Sequence, residues 1–423
     1  MSYQELKKLY YKDEAEYAAE YERRFHSEDT VHLDFEIKNK PAFFVETTEV
    51  LRLALKIAQM DRDVSELSRK LPEIAIIQYS RKCLIDEIVL TNNIEGVHSS
   101  RKEIGEALDL LEEQSREKKK HTRFEGLVHK YQKLMSQEEI PLSTCRDIRD
   151  LYDEVFLEEV VEEDPDHRPD GEIFRKDAEH VYGTTGKVLH TGVYPEKKII
   201  DCMERALNFL NGDSTEKLYR ACIFHYLLEY IHPFYDGNGR LGRLILSYCI
   251  SQTLEPLLAY RISETIKENI RAYYKAFEAC NDRLNLADLT PFLLMQMGMI
   301  YESLAELKES LLKKSTQLKR YQQMILSLPG GRNKNGYNLY YLLIQAALFS
   351  EEGIPTPVLK EKLEIKSPTT FKKLIDQIPE ELLVTRTKNR TKYYELNLAP
   401  LDDMLMNEAL QEKEGNCSGF LTP

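Results

Sequence analysis

Residues 232–243 read HPFYDGNGRLGR and place several chemically reactive residue types next to one another. The apolar residues that follow the glycines, among them Leu241, Leu244 and Ile245, recur at helical spacing, which predicts a helix that begins close to Gly239. The start of a helix presents unpaired backbone N–H groups and the positive end of the helix dipole. Glycines there let the backbone approach a phosphate closely. The stretch therefore predicts an anion-binding site at a helix N-terminus.

The polar side chains of the same stretch indicate which reaction a bound phosphate group could undergo. Asp236 offers a hard oxygen ligand suited to a Mg²⁺ ion that bridges phosphate oxygens. Arg240 and Arg243 offer delocalised positive charge for further phosphates. His232 can accept a proton from a hydroxyl group near neutral pH. His232 and Pro233 could merely end a helix, and residues 237–239 could be a plain turn, but the combination indicates phosphoryl or nucleotidyl transfer.

HPFYDGNGRLGR also resembles the signature of the Fic family, H-x-F-x-[D/E]-G-N-G-R-x-x-R, and matches it at every specified position. The resemblance extends over about residues 80–300. It implies a mainly α fold, a Fic helical bundle with a small β-hairpin flap. The implied activity is that of a protein adenylyltransferase, an enzyme that transfers AMP from ATP, with Mg²⁺, to a Ser, Thr or Tyr hydroxyl of a target protein. The target can be the chain itself.

The resemblance assigns a role to each position of the signature. His232 would deprotonate the target hydroxyl, and Asp236 would hold Mg²⁺ against the α- and β-phosphates. Arg240 would bind the β-phosphate and Arg243 the γ-phosphate. The nucleotide-binding residues that it implies are Gly237, Asn238, Gly239, Arg240, Leu241, Gly242, Arg243, Tyr273, Tyr274 and Asn281.

The last three of these residues match positions near the family's adenosine pocket less closely. Ordinary helix packing explains Tyr273, Tyr274 and Asn281 equally well. His225 is predicted to be a core histidine that forms a hydrogen bond inside the bundle.

Residues 180–195, HVYGTTGKVLHTGVYP, have β-branched and aromatic residues around a glycine-rich turn, which predicts a hairpin. The corresponding hairpin of Fic proteins binds a target peptide by adding a strand, so main-chain hydrogen bonds dominate. A flap of this kind does not identify its target. The candidate flap residues are Val181, Tyr182, Lys187, Val188, Leu189, His190 and Thr191.

A second motif, TNNIEG, spans Thr91 to Gly96 and predicts the end of a helix, with the glycine as its stop. A carboxylate at Glu95 would be unfavourable there by roughly 0.3–1 kcal/mol, so either water or a distant partner must compensate it. TNNIEG resembles the Fic inhibitory motif [S/T]-x-x-x-E-[G/N], which implies inhibitory roles for Thr91, Glu95 and Gly96. By that resemblance Glu95 pairs with Arg243 and takes the place of the γ-phosphate. The same glutamate could instead position water that removes AMP from a modified protein.

The C-terminal part of the chain follows a break at residues 328–338, which are rich in Gly and Asn. Three helices are predicted after it, the second and third beginning with capping hydroxyls at Thr356 and Ser367. A hairpin around residues 388–390 completes a pattern typical of a winged helix-turn-helix (α+β) domain. Residues 354–398 contain nine Lys or Arg against six Asp or Glu, a net charge of +3. DNA binding, protein contact and homodimer formation all remain open for this unit.

The whole chain has 423 residues, of which 42% are hydrophobic and 30% charged, as in a soluble globular protein of two or three domains. A formal net charge of −13 excludes general nucleic-acid binding except through a local basic face. Seven cysteines without a C-x-x-C pair indicate reduced thiols. With no signal-peptide stretch and no long apolar run, a cytoplasmic protein without a membrane span is predicted.

The predicted domains follow from these breaks. The acidic stretch 158–172 contains proline and glycine and predicts a surface loop inside the Fic domain. In chain order we expect a helical N-terminal extension (1–75), the Fic domain (76–305) with its inhibitory helix (about 76–96), a helical linker (306–333), a winged-helix-like domain (334–400) and a tail (401–423).

Overall fold

The structure, a computed structural model, describes residues 3–113, 123–182, 188–388 and 390–406. The chain forms two compact units, one of residues 1–65 and 83–307 and one of residues 66–82 and 308–423. The residues expected to form an N-terminal extension are thus divided between the two units. Over the described ranges, no helix is long and apolar enough to cross a membrane.

Helices dominate the described residues, as the sequence predicts. They are α1 (Leu6–Tyr10), α2 (Glu14–Phe25), α3 (Thr48–Arg69), α4 (Glu73–Ile94), α5 (Arg101–Glu113), α6 (Glu125–Ser136), α7 (Cys145–Val155), α8 (Leu157–Glu163), α9 (Glu196–Asn211), α10 (Lys217–Ile231), α11 (Asn238–Ser251), α12 (Ile262–Glu268), α13 (Ile270–Asn281), α14 (Thr290–Met324), α15 (Lys334–Phe349), α16 (Thr356–Lys362) and α17 (Pro368–Ile375). The strands are β1 (Thr30–Ile37), β2 (Lys40–Val45), β3 (His180–Tyr182), β4 (Val188–Thr191), β5 (Ile354–Pro355), β6 (Leu383–Lys388) and β7 (Thr391–Leu396).

Helices α10 and α11 form the centre of the first unit. Most residues of α10 are buried, which is typical of a helix that is apolar around its whole circumference and lies inside a core. Helix α11 buries Leu241, Leu244 and Ile245 on the stripe that the sequence predicts, and it begins at Asn238, one residue before the predicted position. The loop between the two helices, residues 232–237, carries the first half of the signature.

An antiparallel hairpin of β1 and β2 belongs to the same unit and was not predicted from the sequence. Its turn residues Lys38 and Asn39 have positive φ, as tight hairpin turns require. Phe43 is fully buried; its N–H donates to the carbonyl of Ala287 and its carbonyl accepts from the N–H of Leu289. The hairpin is therefore fixed to the core of this unit by backbone bonds.

The acidic stretch 158–172 is a loop only in part, so this prediction was wrong for its first six residues. Helix α8 includes them, because the buried Val160 anchors that turn in the core. A short 3₁₀ turn at Pro165–His167 follows.

The second unit contains the three helices and the hairpin predicted for the C-terminal part. Strands β5, β7 and β6 form one antiparallel sheet in that order. The hydroxyl of Ser367 accepts from the N–H of Thr370 and caps α17, as predicted. Thr356 does not cap α16; it is the first helical residue, and its hydroxyl donates to the carbonyl of Lys392. The winged-helix assignment remains a prediction.

Candidate active site

The loop between α10 and α11 is held in shape by hydrogen bonds to the first residue of α11 and by the packing of one loop ring. His232 ends α10 in the left-handed conformation, with φ of 54°. The side-chain amide of Asn238 accepts from the N–H of Phe234 (3.0 Å) and donates to its carbonyl (2.8 Å). The Phe234 ring stacks on Tyr152 with 3.7 Å between ring centroids. The side chain of Asn238 therefore shapes the loop, and only its backbone amide remains for an anion.

At two positions of the signature, atoms of other residues lie so close to the backbone that glycine is favoured. Gly237 has φ of 80°, and a Cβ there would lie 3.3 Å from the Tyr152 ring. A Cβ on Gly239 would lie 2.2 Å from Oε1 of Glu95, so no other residue fits while that carboxylate is in place. The first N–H groups of any helix lack intrahelical acceptors. The carboxylate of Glu95 thus lies at the positive end of α11, where an anion is favoured.

Arg243 connects this carboxylate to α4. Its Nη1 lies 2.7 Å from Oε1 of Glu95, and its Nε and Nη2 donate to the hydroxyl (2.7 Å) and carbonyl (3.0 Å) of Thr91. Arg243 is 1% exposed, whereas the side chain of Glu95 is 33% exposed. Burial opposes the charge on Arg243, yet the attraction to Glu95 keeps its pKa above the ordinary value. The ion pair expected from TNNIEG is present.

Arg240 also has a carboxylate partner, which the sequence did not reveal. Its Nη1 lies 3.0 Å from Oε2 of Glu159 on α8, and its guanidinium lies over the ring of Phe156. The other oxygen of Glu159 accepts from Arg123 at 3.1 Å. Asp236 is farther from Arg240, at 4.0 Å. Both arginines of the signature are therefore paired with carboxylates of other helices or of the turn after α4.

The side chain of His232 is half-buried, and its Nδ1 is shielded from solvent. Burial, with smaller contributions from the positive charge of Arg175 and from His190, lowers the pKa of His232 to about 3. The ring is consequently neutral at neutral pH, so one of its two nitrogens carries no proton. Its backbone carbonyl accepts from Nε of Arg175 at 2.8 Å.

Asp236 fits a magnesium ion that arrives with phosphates. One of its oxygens accepts from the N–H of Gly237 at 2.5 Å, and its side chain is 38% exposed, so the other oxygen can be reached. Within the described ranges, no group of three or more His, Cys, Asp or Glu residues could hold a metal. Mg²⁺ usually keeps several waters and takes one or two carboxylates together with substrate phosphates, and a single carboxylate suits that pattern.

The residues predicted near adenosine are mostly engaged inside the bundle. Tyr273 is 3% exposed and its hydroxyl lies 2.7 Å from Nε2 of His225, so His225 is the core histidine that the sequence predicts. The side chain of Asn281 accepts from the hydroxyl of Tyr226 at 2.6 Å. Tyr274, at 43% exposed, is the member of the predicted set that can meet a ligand directly. Leu241 is fully buried, so only its backbone could contribute.

The predicted flap is a hairpin. Strands β3 and β4 pair antiparallel, with Val181 opposite His190 and Tyr182 opposite Val188; Lys187 lies outside the described residues. The imidazole of His190 is buried, and its Nε2 lies 2.7 Å from the carbonyl of Tyr230. The hairpin is therefore attached to the end of α10, next to His232.

Comparison with known proteins gives a family match at the same segment. Residues 142–250 match the Fic/DOC family. Protein adenylyltransferase fic-1 from Caenorhabditis briggsae is 33% identical over 117 residues, covering 25% of this chain and 21% of the relative. The protein of the same name from Caenorhabditis elegans is 35% identical over 105 residues, covering 24% and 19%. The chain thus spans about a fifth of the length of these curated relatives.

A solved structure extends the likeness in fold beyond that segment. A Fic family protein from Desulfovibrio desulfuricans G20 superimposes with a TM-score of 0.50 and 19% identity, covering 83% of this chain and 96% of that protein. At this identity the likeness concerns the fold alone. The signature, the helical architecture and the family match agree with one another, and the segment that matches the Fic/DOC family is residues 142–250.

Proposed function

We propose that the chain transfers AMP from ATP to a hydroxyl side chain of a target protein and that Glu95 restrains this activity. The observation that carries the proposal is the arrangement of His232, Asp236 and Arg243 around the first turns of one helix, α11. The relatives named protein adenylyltransferase support the same reaction, through a match of moderate identity. The target is another protein or a second copy of this chain.

The site contains the groups that this reaction requires. The neutral imidazole of His232 takes the proton of the target hydroxyl as the oxygen attacks the α-phosphorus of ATP. A bond between that oxygen and phosphorus forms, the bond to the β-phosphate oxygen breaks, and pyrophosphate leaves. The amides of the α11 N-terminus and the two arginines stabilise the negative charge. A magnesium ion held by Asp236 would supply further neutralisation of phosphate charge.

The restraint follows from competition for one cation. Arg243 is the group expected to bind the γ-phosphate, and Glu95 and Thr91 already occupy it. The carboxylate also lies against Gly239, where phosphate oxygens would approach the helix start. ATP that binds beside Glu95 would have its phosphate chain displaced from the in-line geometry, which lowers the rate even where affinity is retained.

Removal of AMP from a modified protein is the second enzymatic function that this geometry supports. The side chain of Glu95 is partly exposed, so it can hold a water molecule as well as an arginine. Mass spectrometry tests both functions: the chain is incubated with ATP and cell lysate, and separately with an AMP-modified protein. Gain of AMP on hydroxyl residues supports transfer, and its loss supports removal. If neither occurs in any variant, the proposed activity is wrong.

Asp236→Asn is expected to lower the AMP transfer rate roughly 100-fold, because it removes the charge that would hold a cation. Asparagine still offers a side-chain oxygen to the N–H of Gly237, so the loop bond is retained. The measurement is the transfer rate as a function of Mg²⁺ concentration, with EDTA as the control. The variant should require more Mg²⁺ for half-maximal rate. Superimposable Mg²⁺ curves would contradict a role of Asp236 in metal binding.

DNA binding by the second unit is a further function that specific residues favour. On α17, Thr369, Thr370, Lys372 and Lys373 are all exposed, as expected for a helix that enters a DNA groove. Two cations of the β6–β7 hairpin are engaged with carboxylates: Arg386 with Glu395 at 2.7 Å and Lys388 with Glu352 at 2.6 Å. The hairpin residues Arg390 and Lys392 are exposed. The basic surface available to DNA is therefore smaller than the sequence indicates.

Alanine at Lys372, Lys373, Arg390 and Lys392 together is expected to abolish a salt-dependent gel shift of double-stranded DNA. The reason is that each phosphate no longer neutralised by a cation reduces the slope of log affinity against log salt by roughly 0.9. The matched control is Arg386→Ala with Lys388→Ala, which removes cations that already have protein partners and should change the slope little. If the chain causes no shift at low salt, or a shift insensitive to salt, the unit serves protein contact or homodimer formation instead.

A further inference from the structure

We infer that Arg175, which belongs to the loop before the flap, is a positioning residue that fixes His232 and the flap relative to each other. The inference deepens the proposed function, on which it rests, because it adds a residue through which the proposed base and the proposed target-docking strand are aligned. Neither the signature nor the inhibitory motif includes Arg175.

Every nitrogen of the guanidinium group donates to a backbone carbonyl. Nε donates to His232 (2.8 Å), Nη2 to Val193 (3.0 Å) and Nη1 to Asp177. The backbone N–H of Arg175 adds a bond to the carbonyl of Pro233 at 3.3 Å. One fully buried side chain thus joins the start of the signature loop, the segment that follows β4, and its own loop.

Arg175 is a buried charged side chain with no carboxylate of the described ranges within ion-pair distance. This indicates that the position of its guanidinium group is important for the surrounding backbone. Among the described residues no carboxylate lies within ion-pair distance of Arg175, so its direct partners are carbonyl dipoles, and Glu179 attracts its charge only from farther away. Burying a charge is costly unless hydrogen bonds compensate it. Lysine could not replace this arrangement, since its single ammonium lacks the planar fork that reaches three acceptors in fixed directions.

The backbone around Arg175 is closely packed, so the guanidinium group cannot shift without moving it. A Cβ on Gly192 would lie 2.3 Å from Nη2 of Arg175 and 2.9 Å from Cβ of His232. The N–H of Val193 donates to the carbonyl of Ile231 at 3.0 Å, which holds the same segment against the end of α10. On the opposite side, Glu196 accepts from the N–H groups of Ile173 and Phe174, close to Arg175 along the chain. The segment that follows β4, the guanidinium of Arg175 and the backbone of His232 therefore pack tightly against one another.

This packing has a consequence for the proposed reaction. A target strand that pairs with β4 would be held at a distance from His232 that Arg175 sets. A base displaced by about 1 Å can cost roughly 100-fold in rate, whereas nucleotide binding to the α11 N-terminus does not involve Arg175. The expected signature of losing Arg175 is therefore a lower kcat with little change in KM for ATP.

The test compares Arg175→Lys with Arg220→Lys in the Glu95→Gly chain. Arg220 is a matched control, because it is also a buried arginine that donates to three backbone carbonyls, those of Leu210, Gly212 and Thr215. Melting temperatures verify that both variants fold. Arg175→Lys should lower the kcat of AMP transfer roughly 10- to 100-fold with KM for ATP within twofold, and Arg220→Lys should leave both near the parent values. Equal kcat in the two variants would overturn the inference.

A readout without catalysis distinguishes this inference from the proposed function. Hydrogen exchange followed by mass spectrometry should show faster exchange in peptides 188–193 and 231–236 for Arg175→Lys, and also for Gly192→Ala, which places a methyl group 2.3 Å from Nη2 of Arg175. Arg220→Lys should leave those peptides unchanged. If the Glu95→Gly parent transfers no AMP, the proposed function fails while the exchange result still decides the inference. Unaltered exchange in both peptides would refute it.

Discussion

Replacing Glu95 with glycine is expected to raise the rate of AMP transfer from ATP roughly 100-fold or more. The substitution removes the carboxylate that holds Nη1 of Arg243 at 2.7 Å and clears the space above Gly239. A single cationic or hydrogen-bonding group aimed at transition-state charge contributes a factor of about 100–1,000, so freeing Arg243 sets the size of the effect. The measurement is incorporation of label from α-³²P-ATP into the chain itself and into lysate proteins.

Glu95→Gln is the matched control for this prediction. Glutamine keeps the size of the side chain and loses its charge, so it separates the ion pair with Arg243 from simple occupation of space. A rise in both variants assigns the restraint to charge, and a rise in the glycine variant alone assigns it to bulk. Equal labelling by the wild type and Glu95→Gly would remove the inhibitory role. Loss of AMP removal in Glu95→Gly, with no gain in transfer, would favour hydrolysis as the activity.

His232→Ala, made in the Glu95→Gly chain, is expected to lower AMP transfer by a factor of about 100–10,000. This is the range that a positioned general base contributes. The affinity for ATP, measured by equilibrium dialysis, should change little, because the phosphate-binding amides and arginines remain. His26→Ala is the control, since His26 is exposed and its imidazole lies 3.2 Å from the carboxylate of Glu22 on α2. Transfer that survives His232→Ala would mean that another group takes the proton.

The local parts of this site could be predicted from the sequence because their signals are short. The start of α11, the stripe of Leu241, Leu244 and Ile245, and the strands of the flap all follow from patterns within a few residues. The pair of Glu95 with Arg243 joins distant positions, and it was expected only because two motifs resemble the same family. Physical reasoning from the residues alone left water and a distant partner equally open as the compensation for Glu95.

The missed features depend on contacts between residues that are far apart in the chain. Glu159 is one acid within an acidic run, and nothing local distinguishes it from its solvated neighbours. Arg175 bonds to backbone carbonyls, which every residue possesses, so no partner residue type marks its role. The β1–β2 hairpin did carry a local signal, because apolar Leu33, Phe35 and Ile37 alternate with polar residues, as is typical of a half-buried strand.

The two hydrogen bonds between Asn238 and Phe234 have a thermodynamic consequence. They join the loop to the first residue of α11, so the shape of the proposed phosphate site does not depend on a ligand to order it. Much of the conformational entropy of that backbone is therefore lost already when the chain folds, so less would be lost on binding of the proposed triphosphate. Removing these two hydrogen bonds would weaken the proposed nucleotide binding, although neither bond involves an atom expected to contact the nucleotide.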